Sequence, residues 1–308
     1  MQVMHRREFL QRTARMVIGG AVGAASFPLA ALAAEPPELV VATQKSATER
    51  VRGAIRILGG MERYVSRGDH VVIKPNMGFP NPPSWGSTTH PEVVAELARQ
   101  CIQAGAAQVL VVDHPIRQPT VCLEKSGIRD AVKEIPKTHA FVLADQKFFR
   151  KVAVPKGKQL RSVEVLADVL DADVFINAPV AKTHGSTGVT LGMKNLMGVI
   201  WDRYSFHSIY DINQAIADLS SVVRAKLTVV DAAQAMIQGG PSGPGRLLRL
   251  DTIVAGEDPV AVDAYAVSLA PWYGMRFEGR QVRHIAAAHQ LGLGEMDLTK
   301  VRIRKVQG

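Results

Sequence analysis

An α/β fold on a largely parallel sheet, with helices on both faces, is what three features of this chain predict. Continuous apolar runs, VVI at 71–73, VLVV at 109–112 and VFI at 174–176, read as strands buried on both sides, not as half-exposed alternating ones. Stretches with helical spacing separate them, giving a strand–helix–strand rhythm. Four of the strands end in polar residues, where open α/β sheets place their ligand sites. A chain of 308 residues suits one large domain or two joined lobes. With 47% hydrophobic and 21% charged residues the composition is that of a globular chain, and no internal repeat suggests a solenoid.

The elements follow in order. Glu38–Thr43 is a short apolar strand. Residues 49–65 carry Val51, Ile55 and Leu58 at helical spacing. Asp69–Lys74 (DHVVIK) is a strand running into Pro75-Asn76. A proline-rich loop over 77–90 closes on Ser87, Thr88 and Thr89. A helix starts at Pro91, with Thr89 or His90 at its N-cap, and ends near Gly105. Gln108–Val112 is a strand ending in Asp113-His114. A helix over 124–134, a strand over 140–144 and a hairpin-like pair over 151–165 come next. Asp173–Asn177 is a buried strand. Residues 211–223 are an amphipathic helix with Ile212, Ala215, Ile216 and Leu219 on one face. Leu227–Val230 is a strand ending in Asp231, and Thr252–Ala255 another. Helices over 259–269 and 281–289 and a closing strand over 301–305 complete the chain, with Asp258 as an N-cap before Pro259.

The N-terminus reads as an address. Arg6-Arg7-Glu8-Phe9-Leu10 precedes a mildly apolar, Gly/Ala-rich run from Met16 to Ala34, and Ala31-Leu32-Ala33 offers a small-x-small cleavage site. This pattern resembles a twin-arginine signal peptide over residues 1–33, leaving a single α/β domain over 34–308. His5 and Gln11 depart from the usual Ser/Thr and Lys. Glycines and Pro28 make the run a poor permanent anchor. The expected location is the periplasm or another extracytoplasmic space, reached through the twin-arginine translocase, with no membrane span after cleavage. Losing four arginines and Glu8 lowers the net charge from +9 to +6. That sign favours anionic partners in general. The one basic cluster, Lys147 to Arg161, lacks stacking aromatics apart from Phe148 and Phe149, so a solvated hairpin is expected there and no nucleic-acid groove. Cys101 and Cys122 are isolated, so no cysteine-motif iron–sulfur cluster is expected. In an oxidising compartment the two could pair, while Cys101, on the apolar side of a helix, reads as a buried free thiol.

The chemistry concentrates in FINAPVAKTHGSTGVTLGMKNLMG, residues 175–198. Lys182, His184, Lys194 and Asn195 stand there among glycines, which allow tight turns and close approach to a ligand. Lysine is a compact charge suited to carboxylate or phosphate. His184 has the pKa range for proton transfer, and a satisfied structural histidine is its competing reading. Two ammonium groups beside it would keep it neutral, as a base or as an acceptor orienting a substrate. Lys74 ends an apolar strand, and a lysine so placed needs a partner. Asp113, His114, Asp231 and Asp263 leave a divalent metal open as an alternative. Gly239–Gly245 is either an anion-cradling loop or a plain turn. No GxSxG, HExxH or dinucleotide fingerprint occurs.

These landmarks carry a resemblance. VVIKPN at 71–76, FINAPVAKTH at 175–184, VTLGMKNLMG at 189–198, VVDAAQAMIQGGPSG at 229–243 and EDPVAVDA at 257–264 are similar to those of a prokaryotic family called domain of unknown function 362, from about residue 38 onward. Many relatives carry ferredoxin-like cysteine motifs, which are missing here. The resemblance implies a shared cleft at Lys74, Asn76, Lys182, His184, Lys194, Asn195 and Asp231, without assigning a reaction. The expected protein binds or transforms a small anionic molecule. Lys182 and Lys194 would hold the anion, His184 would move a proton, and Lys74 and Asn76 would complete the cleft. A non-catalytic ligand-binding or redox-accessory protein and a cofactor-dependent redox protein are the alternatives.

Overall fold

Parallel pairing dominates the computed structural model, which describes residues 38–308. Strands β2 (His70–Pro75), β3 (Gln108–Asp113) and β4 (Thr138–Val142) lie side by side in parallel, and β7 (Val174–Ala178) pairs with the other edge of β2. Beyond β7 come β10 (Leu227–Gln238), β11 (Arg246–Gly256), β1 (Glu38–Thr43) and β12 (Arg302–Gln307). Pairing is antiparallel at β10–β11 and β11–β1 and parallel at β1–β12. Strand β8 (Val180–His184) adds in parallel to the outer half of β10 and carries the short antiparallel β9 (Gly188–Thr190). Among these described strands only β9 and β11 run against the rest. A separate antiparallel pair, β5 (Phe149–Ala153) with β6 (Ser162–Leu166), is the expected hairpin.

The buried strands sort their side chains onto two faces with the period of two that a pleat imposes. Val71, Ile73, Val109, Val111, Val174, Ile176 and Val229 face one core, under α1 (Ala47–Ile57), α2 (Pro91–Gln103), and the short α3 (Pro119–Ser126) and α4 (Ile128–Val132). Val72, Val112, Phe175 and Val230 face the other, under α8 (Ile212–Val222), α9 (Pro259–Ser268) and α10 (Arg283–Gln290), with Leu110 half-buried against it. Both faces are therefore covered, as the apolar runs require. Of these described helices, none is long and apolar enough to cross a membrane. The proposed signal segment lies outside the described residues.

Several boundaries differ from the sequence expectation, each for a local reason. The helix expected over 49–65 starts earlier, capped by Ser46, whose hydroxyl accepts from the Glu49 amide at 3.1 Å while the Glu49 carboxylate accepts from the Ser46 amide at 3.0 Å. It stops at Ile57 because Gly59 and Gly60 take φ of 103° and 89°. The helix expected over 124–134 is two pieces, split at Gly127 with φ 69°. Strand β10 does not end at Asp231. It continues to Gln238 because β11 is long enough to pair with it throughout. Residues 180–190, read as a glycine loop, are strands β8 and β9. Their polar Lys182, Thr183 and His184 hide the strand pattern although every residue of β8 is buried. Gly239–Gly245 is the turn between β10 and β11. Asp258 caps α9 as expected, accepting from Val260 and Ala261 amides.

Candidate functional site

The cleft begins where β2 and β3 end. Lys74 is 1% exposed and its Nζ lies 3.1 Å from Asp113 Oδ1. It also donates to Asn195 Oδ1 at 2.8 Å and to the Pro75 carbonyl at 2.6 Å. The other Asp113 oxygen accepts from the Met77 amide at 2.7 Å, turning the chain after β2. Burial lowers the Lys74 pKa, and the Asp113 charge works against that shift. Asn195 sits in α6 (Gly192–Asn195), and its side chain joins three segments. Its Oδ1 also accepts from Asn76 Nδ2 at 2.9 Å, and its Nδ2 donates to Asn177 Oδ1 at 2.8 Å. Asn177 in turn donates to the Gly192 carbonyl at 2.8 Å. The start of α6 is fixed from below by Asp263, which accepts from the Gly192 and Met193 amides at 2.7 and 2.9 Å. Burial pushes the Asp263 carboxyl up to about 7.

Around this frame stand cations. Lys182 projects from β8, donates to the Ser87 carbonyl at 2.6 Å and Asn76 Oδ1 at 3.1 Å, and holds its ammonium 5.0 Å from the Phe79 ring centre. Burial first, then the Lys74 and Lys194 charges, hold its pKa well below the usual lysine range. Lys194 is 7% exposed and lines the cleft. Its Nζ has no hydrogen bond or ion pair among the described residues. Burial, then Arg203, then Lys74 push it down to about 7. Arg203 donates to the carbonyls of His114 and Pro115, the latter at 2.8 Å. Burial lowers its pKa too.

Histidines complete the lining. His184 Nδ1 accepts from the Ser186 amide at 3.2 Å, which leaves Nε2 as the protonated nitrogen of the neutral ring. Burial and the Lys194 charge push its pKa down to about 2, so it stays neutral at physiological pH, as expected. With Nε2 already protonated, it meets a ligand as a donor in this tautomer, not as the expected base or acceptor. His207, from the short α7 (Tyr204–Ser208), stacks on it at 5.9 Å. His114 donates from Nδ1 to the Ile200 carbonyl at 2.8 Å and stacks on Trp201 at 5.4 Å, with Phe149 of the hairpin against its edge. His284 of α10 is 0% exposed, and neither ring nitrogen has a partner among the described residues. Burial and the nearby Lys194 charge push it down to about 3.

Six of the seven expected cleft residues come together: Lys74, Asn76, Lys182, His184, Lys194 and Asn195. Asp231 does not join them. It lies within β10, where its carboxylate accepts from the His90 amide at 2.9 Å and the Ala233 amide at 3.1 Å, fixing the entry to α2. The four residues weighed as metal ligands fall in three separate places. No group of three or more His, Cys, Asp or Glu side chains among the described residues is placed to hold a metal ion. Asp113, noted as a strand end, is the cleft's carboxylate. Arg203 and His284 were missed. The spacing of Arg203 and His207, four apart in WDRYSFHS, is the signal that puts both on one side of a helical turn. Pro241 reaches the cleft from the β10–β11 turn, where the Gly240 amide donates to Thr183 Oγ1 at 3.0 Å. The basic hairpin is solvated, with Arg150 paired to Asp171 at 2.6 Å and Lys147 to Asp145 at 2.9 Å. In a wider groove beside α1 and α2 the buried Glu96 carboxylate is already matched, accepting from Arg52 at 2.6 Å and Arg99 at 3.2 Å.

Residues 71–268 match the family model described as Domain of unknown function (DUF362). Among curated proteins, the chain is 24% identical over 250 residues to Thylakoid-associated protein sll1697 of Synechocystis sp., an alignment covering 79% of this chain and 74% of that protein. Among solved structures, the lactate racemase apoprotein from Thermoanaerobacterium thermosaccharolyticum aligns with a TM-score of 0.48 at 13% identity, covering 74% of this chain and 57% of the other. A Thermotoga maritima protein aligns with a TM-score of 0.43 at 11% identity, covering 81% and 59%. The chain thus spans less than two thirds of either solved protein's length. The family match takes in every cleft residue from Lys74 to Arg203, while His284 lies beyond it. By that match over most of its length, the chain belongs to the DUF362 family.

Proposed function

We propose that the cleft binds a small anion, carboxylate or phosphate, with Lys182, Lys194 and Arg203 supplying the charge and neutral His184 a hydrogen-bond donor. The observation that carries this reading is the Lys194 ammonium, which has no partner among the described residues. The charges of Arg203 and Lys182 act in the same cleft, and Asp113, its one carboxylate among the described residues, is already committed to Lys74. Burying a charge without a counter-ion is costly, and an anion seated among the three cations offsets that cost. The Asn76–Asn195–Asn177 chain holds the cations in place before any ligand arrives, which reduces the ordering cost of binding. We further propose that the protein works outside the cytoplasm, delivered by the Arg6-Arg7 signal.

The test is calorimetry with inorganic phosphate and a panel of small mono- and dicarboxylates. Lys194→Ala weakens binding by about 1.5–3 kcal/mol, the scale of a hydrogen bond to a charged group. The pH profile has a fixed sign. The free Lys194 amine titrates near 7, so the fraction able to attract an anion falls as pH rises through that value. Affinity therefore drops above neutrality by up to about tenfold per pH unit, with proton uptake on binding, and the profile flattens in Lys194→Ala. Wild-type affinity in the Lys182→Ala/Lys194→Ala double variant would overturn the reading. Turnover of the bound anion, as against retention, separates an enzyme from a binding protein.

A further inference from the structure

We propose that Lys194 is a nucleophile whose ε-amine condenses with the carbonyl carbon of a small oxo acid to form an imine, the acid's carboxylate resting against Lys182 and Arg203. The inference rests on the anion-binding reading and names the substrate class for that site.

The three cleft lysines are built differently. The Lys74 ammonium has Asp113, Asn195 and the Pro75 carbonyl. That of Lys182 has Asn76, the Ser87 carbonyl and the Phe79 ring. Both nitrogens are pinned by hydrogen bonds and act as fixed charges, not as nucleophiles. Lys194 has none of these, so nothing among the described residues ties up its nitrogen once the proton leaves. Its backbone, in contrast, is fixed on both sides: Asp263 anchors Gly192 and Met193, and the neighbouring Asn195 is clamped to Lys74, Asn76 and Asn177. A rigidly mounted amine with an uncommitted tip differs from a solvated surface lysine. The neighbouring charges of Arg203 and Lys74, together with burial, favour the free-base form, the usual way a lysine is activated toward carbonyls. The rings nearest in electrostatic terms, His184, His207 and His284, are neutral histidines whose pKa values are all lowered, so no carboxylate among them pins Lys194 as an ion pair.

The step balances without a further reagent. The Lys194 nitrogen attacks the carbonyl carbon, the C=O π pair moves to oxygen, and a proton passes from nitrogen to that oxygen, giving a carbinolamine. Loss of hydroxide, protonated by His184 Nε2–H and leaving as water, forms the C=N bond. The proton remaining on nitrogen returns to His184. One oxo acid and one amine become one imine and one water, with no change in oxidation level.

The experiment treats the purified protein with glyoxylate or pyruvate, reduces with borohydride, and maps the modified peptides by mass. An adduct on Lys194, heavier by the acid less one oxygen atom, is the expected result. Glycolate, which has the carboxylate but no carbonyl, gives no adduct and competes with glyoxylate for Lys194. Lys194→Arg keeps the charge and loses the adduct. Mapping on the wild-type protein decides the matter even if that variant folds poorly. Adducts confined to exposed lysines, with Lys194 unmodified, overturn the inference. If glycolate or phosphate still binds by calorimetry in that case, the anion-binding reading stands alone; if neither binds, both fall.

Discussion

Gly198 shows how little freedom single positions have here. A Cβ on it would overlap Asp113 Oδ1 and lie 2.5 Å from Lys74 Nζ, and its carbonyl accepts from the His114 amide at 2.8 Å. The Lys74–Asp113 pair and the chain after α6 therefore compete for the same space, and only a hydrogen fits between them. Gly198→Ala should cost about 1–3 kcal/mol of stability, the range for overpacking a filled interior, and abolish anion binding by displacing Lys74. Gly185→Ala is the control. A Cβ there meets nothing within 4 Å, and stability should stay within about 0.5 kcal/mol of wild type. Chemical denaturation of both variants decides it, and equal stabilities would show that the crowding at Gly198 relaxes freely. At this scale the sequence was informative where a residue broke its local pattern. Lys74 ending an apolar strand demanded a partner, and it has one. Asp231 broke no such pattern, since aspartate also serves turns and backbone amides, and that is how it is used.

Elements were legible where apolar residues repeated and obscure where the burial was polar. The strands with VVI, VLVV and VFI stand where expected, because continuous apolar runs have few other destinations. Strands β8 and β9 were missed because their buried residues include the polar Lys182, Thr183, His184 and Thr190, and Lys182 and Thr183 find their partners in distant segments. Helix α10 presents the reverse case. Its periodicity was plain, yet nothing marked His284 as a ring without partners. His284→Leu should raise stability by about 1 kcal/mol, since it removes a buried polar group that makes no hydrogen bond among the described residues. The pH dependence follows in sign. The folded His284 pKa is about 3, below the ordinary 6.5. Between those values the unfolded chain takes up a proton that the folded chain refuses, so stability falls as pH drops through 6.5 toward 3. The leucine variant loses that contribution, and its acid-side slope should be shallower. Asp263 has the opposite effect, costing stability as pH rises from 3.8 toward 7, and it is present in both proteins. Identical slopes in urea titrations across pH 4 to 7 would mean that His284 is satisfied after all.

For the molecule as a whole, a mostly parallel sheet covered on both faces was readable from strand composition and from helices alternating with strands. The long antiparallel excursion of β10 and β11 was not, because Ala232 to Gln238 (AAQAMIQ) are helix formers that read as a helical segment and take strand form only by pairing with β11. The proposed address belongs to this scale as well. Replacing Arg6 and Arg7 with lysine should leave the precursor in the cytoplasm, measured by fractionating cells and following cleavage near Ala33. Undiminished delivery would refute the twin-arginine assignment. One property of the cleft applies to any such compartment. The side chains that lock its segments together, Asn76, Asn177 and Asn195, are amides and gain or lose no proton at any ordinary pH. The scaffold and the charges it carries thus belong to separate chemical classes, one indifferent to acidity and the other tuned by it. Acidity can retune the cleft's electrostatics over several units while these amide links keep their shape.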